Sequence, residues 1–125
     1  MPLRCHNTET ERVIANQVFV ADTFIKRLCG LLNQKRLHSN QGMLLTPCRA
    51  VHTCFLFYPI DLVFLDNENR VVEMVKALKP FRMAGCKQAV SVLELPAGSV
   101  AISGIKPGER LSFEEVKIGE NIGRN

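Results

Sequence analysis

Pro47-Cys48-Arg49-Ala50-Val51-His52-Thr53-Cys54-Phe55-Leu56-Phe57-Tyr58-Pro59-Ile60-Asp61-Leu62-Val63-Phe64-Leu65-Asp66 is the longest apolar region of the chain, with a few polar groups set inside it. In its last third, Ile60, Leu62 and Phe64 alternate with Val63 and Leu65, so both faces of that strand are apolar and it belongs in an interior position. Polar groups in such surroundings are costly unless each finds a partner. Asp61, His52 and Thr53 are therefore expected either to bind something or to brace something.

Outward from this stretch, the chain reads as a succession of short strands. Residues 52–57, Ile60–Leu65 and Val71–Leu78 are rich in β-branched and aromatic residues, and Asp66-Asn67-Glu68-Asn69-Arg70 supplies the loop of a hairpin between the last two. Upstream, Leu3–Asn7 and residues 13–20 form an opening hairpin across Thr8-Glu9-Thr10-Glu11-Arg12. Asp22 or Thr23 then caps a helix on which Phe24, Leu28, Leu31 and Leu32 recur at helical spacing, a stripe suited to covering a sheet. Asn40-Gln41-Gly42 marks a turn before Met43-Leu44-Leu45.

Downstream, residues 89–95 read as a strand stopped by Pro96-Ala97-Gly98. Ser99 is placed to cap one helical turn, which Gly104 ends in the left-handed region. Residues 110–116 complete the strand set, and 117–125 read as a loosely held tail. Many short strands with one main helix define a β-rich α+β fold, a small antiparallel β-barrel or jelly-roll-like sandwich with one flanking helix. The whole of 1–125 reads as a single domain.

Composition narrows the function classes. A chain of 125 residues that is 46% hydrophobic and 22% charged is not disordered and can bury a core. Its net charge of +4 arises from basic residues spread along the chain, and with seven Phe, one Tyr and no Trp this does not point to nucleic acid. Cys5, Cys29, Cys48, Cys54 and Cys86 are odd in number and widely spaced, which suits a reduced, cytoplasmic setting. The start, Met1-Pro2-Leu3-Arg4-Cys5-His6-Asn7, turns polar at once, unlike a secretory signal. Apolar runs are broken before the roughly 18 residues that a spanning helix requires.

Three constellations could carry chemistry. Cys48, His52 and Cys54 are zinc-ligand types, yet on an extended strand Cys48 lies about 20 Å from Cys54 while His52 and Cys54 are about 7 Å apart, so common ligation needs a sharp bend. The same residues could pair a thiolate nucleophile with a His base, oriented by Asp61 or Glu94, but neither a nucleophile elbow nor an oxyanion signature accompanies them. Gly98, Gly104 and Gly108 lack the spacing of a nucleotide loop, so no NAD or ATP cofactor is expected. Finally, Asp61 and Glu94 are carboxylates within apolar strands. They could meet His52 and Arg82 at a barrel mouth walled by Phe55, Phe57, Tyr58, Phe81 and Met83, or they could lock the corners of the barrel.

Thr23 with Arg27, Gly30-Leu31-Leu32, Gly42-Met43-Leu44, Val51-His52-Thr53, Pro59-Ile60-Asp61, Val63-Phe64-Leu65-Asp66, Leu78-Lys79-Pro80-Phe81-Arg82 and Val92-Leu93-Glu94-Leu95-Pro96-Ala97-Gly98 occur in this order. Together they resemble domain-of-unknown-function family 192 over residues 13 to 113. The resemblance implies a compact jelly-roll-like barrel with a flanking helix and supplies no reaction. The chain departs from the family at Phe55-Leu56-Phe57, where a basic residue often stands in the third place, and near Phe81, where a Trp is common.

The resulting expectation is a binding or accessory module for a small ligand or a protein partner, monomeric or weakly self-associating. The runner-up is a hydrolase or transferase using Cys48, His52 and Asp61. The candidate pocket comprises His52, Thr53, Asp61, Arg82, Glu94, Cys48, Phe55 and Tyr58, with no metal ligand assigned.

Overall fold

A computed structural model describes residues 2–22, 37–53 and 56–115. The expected helix over residues 23–33, and Cys29, Cys54 and Phe55, lie outside the described residues. Among the described residues nine strands run β1 Leu3–Asn7, β2 Val13–Ala21, β3 Gln41–Leu45, β4 Ala50–His52, β5 Ile60–Leu65, β6 Val71–Leu78, β7 Met83–Gly85, β8 Ser91–Pro96 and β9 Leu111–Glu115, with a short helix α1 at Ser99–Ser103. Seven of them form one sheet in the order β6-β5-β8-β3-β2-β1-β9, curled into a half-barrel, while β4 and β7 pair as a separate ribbon. The β-rich α+β architecture read from the sequence is the one observed.

The curl brings the two edge strands together at one end. Arg70 and Arg110, just ahead of β6 and β9, form a bridge, flanked by bonds from the Val71 N–H to the Glu109 carbonyl (2.8 Å) and from the Leu111 N–H to the Asn69 carbonyl (2.9 Å). One buried cluster draws on all seven strands, with Cys5, Val18, Leu44, Val63, Val71, Leu93 and Leu111 among its members, and so occupies the side enclosed by the curl. A second cluster, including Leu45, Ile60, Leu62, Phe64 and Val92, lies on the opposite face of the middle strands and is joined there by Val51 and Cys86 of the ribbon segments. Burial on both sides explains why all six residues of β5 are buried.

Several local readings are corrected. β2 and β3 run parallel rather than antiparallel, and the connection over residues 22–40 is long enough for the crossover that a parallel pair needs. Gln41 and Gly42 lie in β3, with Asn40 taking the turn at a φ of 70°. A side chain at Gly42 would press on Leu95 Cδ2 at 3.0 Å and on the Glu94 carbonyl oxygen at 3.2 Å, so close approach of β8 accounts for this glycine. Of the strand expected over 52–57, Cys54 and Phe55 lie outside the described residues; β4 ends at His52, and the Thr53 carbonyl accepts the Leu56 N–H. The strand expected over 89–95 is Ser91–Pro96, with β7 as an additional short strand before it.

Asp61 ties three elements together. β6 carries an extra residue opposite it, since Ile60 pairs with Leu78 while Leu62 pairs with Val75, and Ala77 in this bulge has a φ of 50°. One carboxylate oxygen, Oδ1, accepts the Ala77 N–H at 2.8 Å. The other, Oδ2, accepts the N–H of Gly98 (3.1 Å) and of Val100 (2.9 Å). Thus α1 is capped by an aspartate from another strand, whereas the expected cap, Ser99, turns its hydroxyl to the Pro96 carbonyl at 2.6 Å. Gly104 ends the helix with a φ of 71°, as anticipated.

Asp61→Ala is expected to lower unfolding stability by about 2 to 4 kcal/mol, because it orphans buried N–H groups. Asp61→Asn should recover little, since its amide NH2 must face at least one N–H donor; recovery of parental stability in a denaturant titration would contradict the bracing role. Cys5, fully buried in the enclosed core, has its thiol pushed by burial from 9.0 up to about 12. The unfolded chain therefore loses this proton first as pH rises. The contribution to stability is whole below pH 9 and drains by up to about 1.4 kcal/mol per pH unit above it. Alkylation at pH 9 to 10 should spare Cys5 until the protein is unfolded, with mass-spectrometric site assignment as the readout.

Candidate functional site

The register of β5 against β8 separates the two carboxylates singled out in the sequence. Asp61 pairs with Leu95 and Leu62 with Glu94, and cross-strand partners share a face. Leu95 belongs to the enclosed core and Leu62 to the outer cluster, so Asp61 and Glu94 point to opposite sides of the sheet. Glu94 is fully buried on the outer side, flanked by Leu62 and Met43. The barrel mouth in which Asp61, Glu94, Arg82 and His52 meet is not formed.

What the structure does gather is a corner organised by Thr53, at the end of the ribbon. Thr53 is fully buried, and every polar atom it has is engaged. Its hydroxyl donates to the Lys79 carbonyl at 2.6 Å and accepts the Arg82 N–H at 2.9 Å. Its own N–H donates to the Arg82 carbonyl at 2.8 Å, and its carbonyl receives the N–H groups of both Leu56 (3.2 Å) and Phe81 (3.1 Å). Two loops, 56–59 and 79–82, are thereby fixed to one residue. Leu56 is buried, whereas Phe57 and Phe81 beside this anchor are 88% and 66% exposed.

The remaining candidates surround this corner without converging on one cavity. His52, half-buried, lies across the ribbon from Met83, which is itself 75% exposed. Arg82 is exposed and its guanidinium donates to the Phe81 carbonyl at 3.3 Å rather than meeting Asp61. Tyr58 borders a cleft of about 280 Å³ shared with Leu37, His38, Pro59 and Pro96. Cys48 lies in a different hollow of about 340 Å³ with Pro47, Arg49 and Val90, its thiol donating to the Ala50 carbonyl at 3.1 Å. Among the described residues, no three His, Cys, Asp or Glu side chains gather as a metal site.

Phe81 is the residue that sequence reading undervalued. It has a φ of 61°, in the left-handed region that a bulky side chain rarely enters, and Thr53 holds it there. The sequence signal was slight: Lys79-Pro80 ends β6, and nothing local says which way the next side chain projects.

Chains of similar sequence and shape are known. A UPF0127 protein of Pyrococcus furiosus is 31% identical over 88% of this chain and 97% of its own length. One of Thermococcus kodakarensis is 32% identical over 78% of this chain, which spans 64% of that protein's length. A crystal structure described as a "putative transcription regulator" from Sinorhizobium meliloti superposes with a TM-score of 0.79, at 22% identity, covering 90% of this chain and 94% of the other. The model of the DUF192 family, "Uncharacterized ACR, COG1430", matches residues 5–113, and the chain belongs to that family.

Proposed function

We propose that the chain is a single-domain, cytoplasmic binding module whose recognition surface is the corner fixed by Thr53. The observation that carries this reading is the backbone of Phe81. A left-handed conformation at a non-glycine residue costs about 1 to 2 kcal/mol, and here it places an aromatic ring in water instead of in the core. Phe57 and Met83 lie on the same corner, so three large apolar side chains are displayed together on a rigid mount.

The enzyme reading finds less support. Both oxygens of Asp61 are occupied by backbone N–H groups on the enclosed face, away from His52 and Cys48 on the ribbon side. Asp61 is therefore badly placed to orient His52 as a base, the task such a triad requires of its acid. No helix among the described residues is long and apolar enough to cross a membrane. The odd, scattered cysteines support the cytoplasmic assignment.

Two measurements test this reading. Phe81→Gly suits the left-handed backbone, so its unfolding stability should equal the parent's or exceed it by up to about 1 kcal/mol. A clear loss of stability would make Phe81 structural and remove the basis of the proposal. Iodoacetamide labelling of Cys48 in the native protein at pH 6 should be slow and indifferent to His52→Ala. Rapid labelling that vanishes in that variant would put a Cys/His nucleophile in its place.

A further inference from the structure

The charge of the chain is not evenly spread once it is folded. Segments 46–60 and 74–93 hold Arg49, Lys76, Lys79, Arg82 and Lys87 and no Asp or Glu at all. They contain five of the sixteen basic residues and none of the twelve acidic ones, so the rest of the chain carries eleven against twelve. These two segments by themselves therefore carry a net charge of +5. The fold joins them through the ribbon and the Thr53 corner, which sets Lys79 and Arg82 beside Phe81 while Arg49 and Lys87 lie at the other end of the ribbon, and all five cationic residues are exposed.

The other exposed residues of these segments are almost entirely apolar. Phe57, Phe81 and Met83 project furthest, Pro59 and Val90 accompany them, and among the described residues Gln88 is the one exposed neutral polar side chain. We propose that this corner docks peripherally on an anionic lipid bilayer, Phe57, Phe81 and Met83 entering the headgroup boundary while Lys79 and Arg82, with Arg49 and Lys87 along the ribbon, face the acidic headgroups. The proposal deepens the binding-module reading and rests on it.

Apolar tips ringed by cations match the two terms that hold proteins at membrane surfaces, namely buried apolar area and attraction to anionic headgroups. A protein partner would use Phe57, Phe81, Met83 and the two arginines, but Lys79 and Lys87, of a type depleted in protein interfaces, find their natural counterpart in acidic headgroups. A nucleic acid would use the cations, but Met83 offers no stacking face and the corner has almost no neutral hydrogen-bonding side chains with which to read bases. Long lysine and arginine stems can lie along the apolar tips while their charged heads remain in water.

The test is vesicle co-sedimentation of the full chain, comparing phosphatidylcholine alone with phosphatidylcholine containing about 30% phosphatidylserine. Binding should be at least tenfold tighter with the anionic lipid and weaken markedly from about 0.1 to 0.5 M salt. Two variants separate the terms: Phe57→Ala with Phe81→Gly and Met83→Ala, and Lys79→Glu with Arg82→Glu. Each should retain the parental far-UV spectrum and melting transition and lose at least tenfold in vesicle affinity. Absence of binding, equal binding to both vesicle types, or full binding by the apolar variant would overturn the proposal. So would displacement from vesicles by a single-stranded oligonucleotide at lower phosphate concentration than the lipid. If vesicles fail while Phe81→Gly keeps its stability, the corner remains a recognition surface and only the identity of its partner is wrong.

Discussion

The structure turns on one carboxylate. Asp61 sits in a strand buried on both faces, at the point where the regular ladder with β6 is interrupted, and its two oxygens collect N–H groups from a bulge, a turn and a helix start. Each of those backbone donors has lost the partner that regular structure would supply, and a neutral acceptor could not serve all three as well as a charged one. The cost of burying the carboxylate is offset locally by those three bonds. The bulge at Ala77 is thereby held to the Gly98 turn and α1, although they are distant from it in sequence.

Thr53 repeats the device on the other side of the sheet with a hydroxyl and a peptide unit. It receives the chain where β4 stops and anchors the loop where β6 has ended, so both returns of the chain share a single buried fastener. A buried, fully satisfied polar network of this kind specifies geometry more than it adds net stability. The geometry specified here displays Phe81 outward from a backbone conformation that it would not adopt unaided.

Charge is distributed differently over two regions of the molecule. The end of the half-barrel closed by the Arg70 and Arg110 bridge carries paired charge, with Arg70 facing Glu9 at 3.7 Å and Asn7 bonded to Glu109 at 3.0 Å. The ribbon and the Thr53 corner carry unopposed positive charge and exposed apolar rings. The proposed contact surface is this second region, where Thr53 fixes the backbone that carries Phe81.

Much of this fold was legible from local patterning. The apolar run at Ile60–Leu65 determined an interior strand, because no polar face was left for water, and the strand at Val71–Leu78, the opening hairpin and the Gly104 helix stop followed from side-chain period and turn chemistry. The sequence also marked Asp61 and Glu94 as groups needing partners. It could not say that they face opposite ways, because that depends on the register of β5 against β8, which is set by packing across residues some thirty apart in the chain. Nor could it foresee a parallel β2 and β3 or a remote aspartate capping α1, since both are long-range pairings that local composition does not encode. The basic residues looked scattered because their neighbours along the chain are not their neighbours in space. Only the tertiary structure, by bonding Thr53 to the 79–82 loop, set Lys79 and Arg82 on the same corner as Phe57, Phe81 and Met83.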